Sequence, residues 1–280
     1  MKKAKTPMVL SITGGGATVL KNFFSVSGVS QLVLEAIVPY HPKSLSKFLG
    51  STQTYACNSR TARAMAMESF KRAKDMAGSS NVIGLGCTAA LRTTRERRGK
   101  DRCHVCVQSR TTSRTLDMKL DQSLTRAQQE SQCRQLIFVA IANTLSLETD
   151  YEGLNFKETS VEAPSLWKDL LEGNTNKTND KKYDAVFPGS FAPFHEGHER
   201  IILLAEKKLN VRPALEISVT NVDKPPLDFV SMEERNIPTQ DIVFTNAATF
   251  EEKADLFPSA TFIVGIDTLA RIDEAGYYNG

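Results

Sequence analysis

The sequence predicts an α/β protein with two α/β domains, of which the second is a doubly wound, Rossmann-like parallel sheet. Short apolar segments alternate with longer segments of helical periodicity. The formal charge changes sign near residue 175, because residues 1–175 carry 24 Lys+Arg against 15 Asp+Glu (+9) and residues 176–280 carry 11 against 17 (−6). Residues 174–182 are polar and rich in residues that interrupt helices and strands. We therefore expect domains at residues 1–173 and 183–280, joined by a linker at 174–182.

The first domain begins with a strand and a glycine turn. Residues 8–12 are apolar, and three successive glycines follow within residues 13–18. Residues 31–40 are apolar and partly β-branched, which indicates a buried strand. Residues 58–78 predict a long helix, since an asparagine can cap its start and a glycine can end it.

The remainder of the first domain continues the alternation of strands and helices. A buried strand is predicted at residues 81–91, and the alternating polarity of residues 102–109 predicts a second strand with Cys103 on one face. Residues 123–148 form the longest predicted helix, with an apolar second half that suits packing on a sheet. A short helix at residues 163–173 precedes the linker.

The second domain shows a β-α-β alternation, which is typical of a doubly wound parallel sheet. Its predicted strands and helices lie at residues 183–187, 195–209, 214–219, 241–244, 250–256 and 261–265, with a further helix from Asp267. Ligands of such sheets bind beyond the carboxyl ends of the strands. The first strand-to-helix connection of this domain is therefore the first place to look for a site.

Composition excludes several classes of protein. Hydrophobic residues make up 41% and charged residues 24% of the chain, and no apolar run approaches about 20 residues, so we expect no membrane partner. The basic first half lacks a basic stripe interleaved with aromatic residues, so we expect no nucleic-acid partner. The five cysteines are an odd number in a chain too large to need disulfides, which favours free thiols and a cytoplasmic location.

The stretch FPGSFAPFHEGH, residues 187–198, which we call the histidine turn, carries two of the four histidines. It connects a predicted strand to a predicted helix, whose free N–H groups and dipole favour an anion such as phosphate. His195 and His198 lie three residues apart in the first helical turn and can add donors to developing charge on phosphorus. Two imidazoles could instead hold a metal or serve a structural role, although no third metal ligand lies nearby.

The histidine turn resembles the G-S-F-x-P-x-H-x-G-H signature of the HIGH-motif nucleotidyltransferases. Residues 220–236 and 262–272 are similar to segments of the nicotinamide mononucleotide adenylyltransferases in that group. The resemblance implies that His195 and His198 are catalytic, that Mg²⁺ arrives on the nucleotide, and that no metal is held by the protein alone. The residues that it implies for nucleotide binding are Gly189, Ser190, Phe191, His195, His198, Lys224, Gly265 and Asp267. No S/T-rich phosphate motif follows Asp267, so we expect the second sheet to be truncated at its C-terminal end.

The glycine turn carries a second resemblance. A Walker phosphate loop is not present, and the glycines can serve either a phosphate loop of another kind or a tight turn. Ser11-Ile-Thr-Gly-Gly15 is similar to the S-x-T-G-G motif of the competence/damage-inducible nicotinamide mononucleotide amidohydrolases, in which a serine could attack an amide. The resemblance implies a second site at Ser11, Thr13, Gly14, Gly15, Tyr40 and Thr88.

The sequence thus predicts a nucleotidyltransferase that moves a nucleotidyl group, in the favoured version adenylyl, from a nucleoside triphosphate to a phosphorylated acceptor. Nicotinamide or nicotinate mononucleotide is the expected acceptor, and pyrophosphate is the product. Two alternatives stay open: an amidohydrolase that uses the first domain, and a non-catalytic nucleotide-binding protein. A homo-oligomer is also left open.

Overall fold

The computed structural model describes residues 6–94, 99–149, 153–221, 225–266 and 268–269. The chain divides into two units. Unit 1 comprises Met1–Ala163 with Asp228–Val230, and unit 2 comprises Pro164–Leu227 with Ser231–Gly280. This division lies ten residues before the boundary expected at residue 173. The prediction of two α/β units is confirmed, since each contains its own sheet and helices.

Within the described residues, unit 1 is built on a six-stranded sheet of order β2-β1-β3-β4-β5-β6. Its strands are β1 (Met8–Thr13), β2 (Val33–Ile37), β3 (Ile83–Ala90), β4 (Arg102–Ser109), β5 (Thr112–Lys119) and β6 (Lys157–Glu162). Its helices are α1 (Thr18–Phe24), α2 (Pro42–Phe48), α3 (Ser59–Ala77) and α4 (Arg126–Thr144). β1 pairs in parallel with β2 and β3, whereas β4, β5 and β6 continue in antiparallel fashion.

Helix α3 lies almost directly on strand β3. A Cβ atom added at Gly84 would come within 2.0 Å of the Phe70 backbone nitrogen, and one at Gly86 within 2.2 Å of the Ala62 carbonyl oxygen. The two glycines, spaced by two residues, therefore point to one face of the strand and let the helix backbone touch the sheet. The helix starts at an Asn58 cap and ends at Gly78, as predicted.

The other face of this sheet packs against α1 and α4. Buried residues of both helices and of the central strands form one apolar cluster, which includes Phe23, Ile137 and Cys103. Cys106 lies on the opposite face with Ala62 and Ala66, so the two cysteines of β4 point apart. All five cysteines carry free thiols, as predicted.

Unit 2 contains a parallel sheet of order β10-β7-β8-β9, four strands in the part of the chain that the structure describes. Its elements are α5 (Ser165–Glu172), β7 (Ala185–Pro188), α6 (Glu196–Leu209), β8 (Ala214–Ser218), β9 (Ile242–Thr245), α8 (Phe250–Leu256) and β10 (Thr261–Phe262). The short helix α7 (Phe229–Glu233) is divided, since its first two residues belong to unit 1. The chain runs from β7 outward to β9 and then returns to the other side of β7. This order is that of a doubly wound sheet, and the predicted fold class is confirmed.

The segment expected to be a linker pairs with the edge of the unit 2 sheet. The Thr178 N–H donates to the Phe244 carbonyl oxygen at 3.0 Å, and the Asn246 N–H donates to the Asn176 carbonyl oxygen at 3.0 Å. Its polar side chains suggested a solvated connection, but an edge strand offers backbone partners that need no apolar side chain. Among the described residues, no helix is both long and apolar enough to span a membrane.

Candidate functional site

The histidine turn lies at the topological switch point of the unit 2 sheet. β7 is flanked by β8 on one side and by β10 on the other, and the connections from β7 and β9 lead in opposite directions. The turn leaves the carboxyl end of β7, and Gly265 follows the carboxyl end of the neighbouring β10. Open α/β sheets bind their ligands in the crevice at such a point. The predicted Gly189 and Gly265 therefore lie at the same edge of the sheet.

His195 and His198 form a capping box at the start of α6. The Gly197 N–H donates to His195 Nδ1 at 3.1 Å, and the His195 N–H donates to His198 Nδ1 at 3.2 Å. The pattern is that of the S/T-x-x-E/Q box, with imidazole nitrogens in place of the usual oxygens. Both rings are therefore held by the backbone of the helix that they begin.

The capping bonds determine which ring nitrogen can contact a ligand. Because Nδ1 accepts a hydrogen bond in each ring, the proton of the neutral imidazole lies on Nε2. The rings stack with centroids 3.7 Å apart and planes at 26°. Burial lowers the pKa of His198 below its ordinary value, and the charge that His195 would carry lowers it further. Each ring thus offers one Nε2–H donor while neutral.

Most of the helix-end N–H groups that were expected to bind a phosphate have acceptors within the turn. Besides the two taken by imidazoles, the His198 and Glu199 N–H groups donate to the His195 carbonyl oxygen at 2.9 and 3.3 Å. Phosphate binding by these backbone groups therefore stays a prediction, and a phosphate would have to compete with these internal acceptors for them. The imidazole Nε2–H groups are further donors that the turn presents beside this helix start.

Aromatic rings hold His198 in place. Phe191 is buried, with a positive φ of 43°, and its ring centroid lies 5.0 Å from that of His198. Phe194 stacks on His198 with centroids 5.5 Å apart. A Cβ at Gly189 would lie 2.6 Å from the Phe191 ring, so glycine makes room for that ring. Gly189 and Phe191 therefore serve to position the His198 ring.

Of the other residues predicted for this site, the structure describes Ser190 and Gly265. Ser190 is exposed, and its carbonyl oxygen accepts a hydrogen bond from Arg235 Nε at 2.9 Å, which ties the turn to the segment after α7. Gly265 is exposed, and its carbonyl oxygen accepts the N–H of Thr268 at 3.0 Å. Lys224 and Asp267 lie outside the described residues.

A buried ion pair beneath the turn was missed in the sequence. Lys253 Nζ donates to both carboxylate oxygens of Glu216 at 2.8 Å and to the Ala247 carbonyl oxygen at 2.9 Å. Thr245 Oγ1 also donates to Glu216, at 2.5 Å. The Glu216 carbonyl oxygen accepts the Gly189 N–H at 3.0 Å, so the pair lies on β8, the strand that hydrogen-bonds the first residues of the turn. The signal that could have revealed it is a glutamate in the middle of the apolar strand ALEIS.

In unit 1, the structure places Ser11 in the core. Its side chain has no exposed surface, and its Oγ donates to the Leu85 carbonyl oxygen at 2.9 Å and accepts from Ser69 Oγ at 2.9 Å. Neither partner is a base, and the side chain faces α3. This packing does not support the expectation that Ser11 attacks an amide, because its hydroxyl is enclosed between the sheet and α3.

The remaining residues of the second predicted site fall into two groups, since Thr13 and Thr88 are partners on adjacent strands and the others lie at a cavity. Thr13 Oγ1 donates to the Pro39 carbonyl oxygen at 3.0 Å, and Thr88 is buried on the neighbouring strand. Gly14, Gly15 and the exposed Tyr40 do meet, at a cavity of about 480 Å³ on the α4 side of the sheet. The full lining is Ile12, Gly14, Gly15, Ala17, Val38, Tyr40, Arg126, Ala127 and Glu130.

Glu130 of α4 occupies the end of the glycine turn. Its carboxylate oxygens accept the Gly16 N–H at 2.7 Å and the Thr18 N–H at 3.0 Å. The side-chain carboxylate therefore takes two of the backbone donors that a phosphate loop would use, which favours the interpretation of the glycines as a tight turn. Glu130 and Arg126 were not predicted, because they lie more than a hundred residues from the turn in sequence.

The described residues contain no group of three or more His, Cys, Asp or Glu side chains placed to hold a metal ion. The paired imidazoles are engaged with the helix backbone through Nδ1, which leaves one nitrogen of each ring for other partners. The chemistry that this arrangement supports is hydrogen-bond donation to an anion.

No protein-family model matches the chain, and no curated protein matches it. Solved structures with a partial likeness include a competence-damaged protein (CinA) superfamily protein from Escherichia coli, with 9% identity and a TM-score of 0.42 over 50% of this chain and 81% of that one. A Klebsiella pneumoniae protein of the same superfamily has 12% identity and a TM-score of 0.42, over 51% and 88% of the two chains. The competence/damage inducible protein CihA from Agrobacterium tumefaciens has 18% identity and a TM-score of 0.41, over 49% and 86%. Because these TM-scores are below 0.5, they assign neither an activity nor site residues to this chain.

Proposed function

We propose that unit 2 is a nucleotidyltransferase that binds a nucleoside triphosphate, as its Mg²⁺ complex, at the histidine turn. It transfers the nucleotidyl group, adenylyl when the donor is ATP, to the phosphate of an acceptor such as nicotinamide or nicotinate mononucleotide. The observation that carries the proposal is the capping box of His195 and His198, which holds two Nε2–H donors side by side at the switch point of a parallel sheet.

The proposed chemistry is an in-line displacement at the α-phosphorus. An oxygen of the acceptor phosphate forms the new P–O bond, and the bond to the bridging oxygen breaks so that its electron pair leaves with pyrophosphate. Negative charge on the phosphate oxygens is stabilised by donors that are already in position. The stacking of the two rings and the packing of Phe191 and Phe194 on His198 hold the donors before the ligand arrives.

The direct test is pyrophosphate release by the full chain with ATP or CTP and each acceptor mononucleotide. We expect release with one donor–acceptor pair, and a loss of turnover of about 10²-fold or more in His198→Ala. His41→Ala is the matched control, because His41 also caps a helix through Nδ1, which accepts the Lys43 N–H at 3.2 Å, but lies in unit 1. Release that is unchanged in His198→Ala would overturn the assignment. If the chain binds a triphosphate but releases no pyrophosphate with any donor–acceptor pair, the remaining interpretation is a non-catalytic nucleotide-binding protein.

We also propose that unit 1 binds a small molecule in the cavity beside Gly14, Gly15 and Tyr40. A volume of about 480 Å³ lies in the range of small-ligand sites, and apolar walls with a few polar groups are typical of them. The resemblance of the glycine-turn motif suggests nicotinamide mononucleotide as the first ligand to try. Hydrolysis through Ser11 is not part of the proposal, since its hydroxyl faces the other side of the sheet.

Calorimetric titration with nicotinamide mononucleotide tests this second candidate. We expect Tyr40→Ala to weaken binding and Ser11→Ala to leave the affinity unchanged, with no ammonia released by either variant or by the wild type. Ammonia release that disappears in Ser11→Ala would reinstate the amidohydrolase. The absence of binding in the wild type would remove the candidate without affecting the proposal for unit 2.

A further inference from the structure

Helix α6 presents leucines on the side that faces away from the unit 2 sheet. Ile202 and Ala205 are buried, at 0% and 8% exposure, and define the packed side of the helix. Leu203 and Leu204 are each 56% exposed, although leucine is normally withdrawn from water. Adjacent exposed leucines in the middle of one helix form an apolar centre that none of the described residues covers.

Charged residues are ordered along the same outer side. Glu196 and Glu199 lie in the first turn, whereas Lys207 and Lys208 lie in the last turn. The helix therefore presents a mainly acidic start that also holds Arg200, an apolar centre, and a mainly basic end that also holds Glu206, over its 14 residues and a length of about 21 Å. The charges along one copy of this helix are therefore complementary to those of a second copy that runs in the opposite direction.

We infer that the outer side of α6 is a self-association surface, which pairs antiparallel with α6 of a second copy of this chain. A two-fold axis at Leu203 places the two Leu203 side chains together. Residues equally far before and after Leu203 then lie at the same level on the two helices. Glu199 of one copy is level with Lys207 of the other, and Arg200 is level with Glu206, so both levels combine opposite charges.

The pattern favours a second copy over other occupants. A helix that lies on an anionic lipid surface carries mostly Lys and Arg on its polar side, whereas α6 has three acidic residues, Glu196, Glu199 and Glu206. The Glu196–Arg200 ion pair, at 2.6 Å and about three-quarters exposed, keeps its charges at the helix surface. Both charge signs are thus available for an isologous contact.

Sedimentation velocity over a range of concentrations tests the inference with the full chain. We expect the wild type to reach twice its 30.9 kDa mass and Leu203→Asp to stay at one chain. Leu166→Asp is the matched control, since Leu166 is 50% exposed on helix α5 of the same unit, and it should dimerise like the wild type. Circular dichroism shows whether each variant is folded.

A charge exchange tests the register. Glu199→Lys alone and Lys207→Glu alone each place like charges at one level and should raise the dimer dissociation constant about tenfold or more. The double variant restores opposite charges and should return to within a few-fold of the wild type. A monomeric wild type at every concentration, an equal loss in Leu166→Asp, or a double variant no better than the single ones would each overturn the inference.

Discussion

Replacing His195 by Ser and His198 by Gln separates helix capping from ligand binding. The variant converts the imidazole box into the common S-x-x-Q box, in which Ser accepts the N–H near the helix start and Gln reaches back to the N-cap N–H. The helix start should therefore survive. We expect the free energy of unfolding of unit 2 to stay within about 0.5 kcal/mol of the wild type.

The ligand should lose both Nε2–H donors. A hydrogen bond to a charged group contributes about 1.5–3 kcal/mol, and the exposed position of His195 favours the lower end. Two such bonds amount to about 3 kcal/mol, which is a loss of affinity for the triphosphate of about 10²-fold. Turnover should fall by at least the same factor, because the donors also stabilise charge that develops in the transition state.

The assay combines urea unfolding with calorimetric titration of a non-hydrolysable triphosphate and Mg²⁺. His195→Ala serves as the contrasting variant, since it removes the cap as well as the donor and should lower the free energy of unfolding by about 1 kcal/mol. An S-x-x-Q variant with wild-type stability and wild-type affinity would refute the reasoning, because the imidazoles would then serve only the helix.

Three further predictions concern single features. NMR titration of His198 should give a midpoint below the ordinary value near 6.5, because burial and the His195 charge oppose protonation. The contribution of the neutral His198 ring to the free energy of unfolding is thus complete above about pH 6.5, and it is lost as the pH falls through the pKa of the folded protein. A titration midpoint at or above about 6.5 would contradict this. Lys253→Met leaves the Glu216 carboxylate buried without its cation and should lower the free energy of unfolding in urea by about 3–5 kcal/mol. Adding Glu216→Met should recover part of this loss, and no recovery would argue against a coupled pair. Gly86→Ala brings a Cβ within 2.2 Å of a helix carbonyl oxygen and should cost at least about 2 kcal/mol in the same measurement, so a change below about 0.5 kcal/mol would show that the helix can move away.

Strong local patterns in the sequence predicted much of the fold. Helix α3 has a capping asparagine, a terminal glycine and apolar residues at helical spacing, and it was predicted to within one residue of its observed bounds. Strands β5 and β6 were missed because polar residues dominate them. In β5, Ser113 and Thr115 are buried, and Ser113 hydrogen-bonds the Gln108 side chain, a contact that polarity alone does not suggest.

The candidate sites were predicted less evenly for a physical reason. The histidine turn is local, so its strand, turn and helix could be placed from one stretch of sequence, and the positions of the N-cap and N3 residues carry the signal of the capping box. The glycine turn depends on distant residues. The packing of α3 and α4, and not the motif, determines which face of β1 carries Ser11 and which carboxylate accepts the N–H groups of the turn.

The shared use of each imidazole has a consequence for motion. One nitrogen of each ring accepts a backbone N–H at the start of α6. Whenever the first turn of that helix frays, both Nε2–H donors therefore lose their fixed positions together. If the proposed function holds, a triphosphate bound at both rings stabilises the closed helix end against fraying. Amide hydrogens of residues 195–199 should exchange with solvent more slowly as the ligand concentration rises, so the helix end itself reports occupancy.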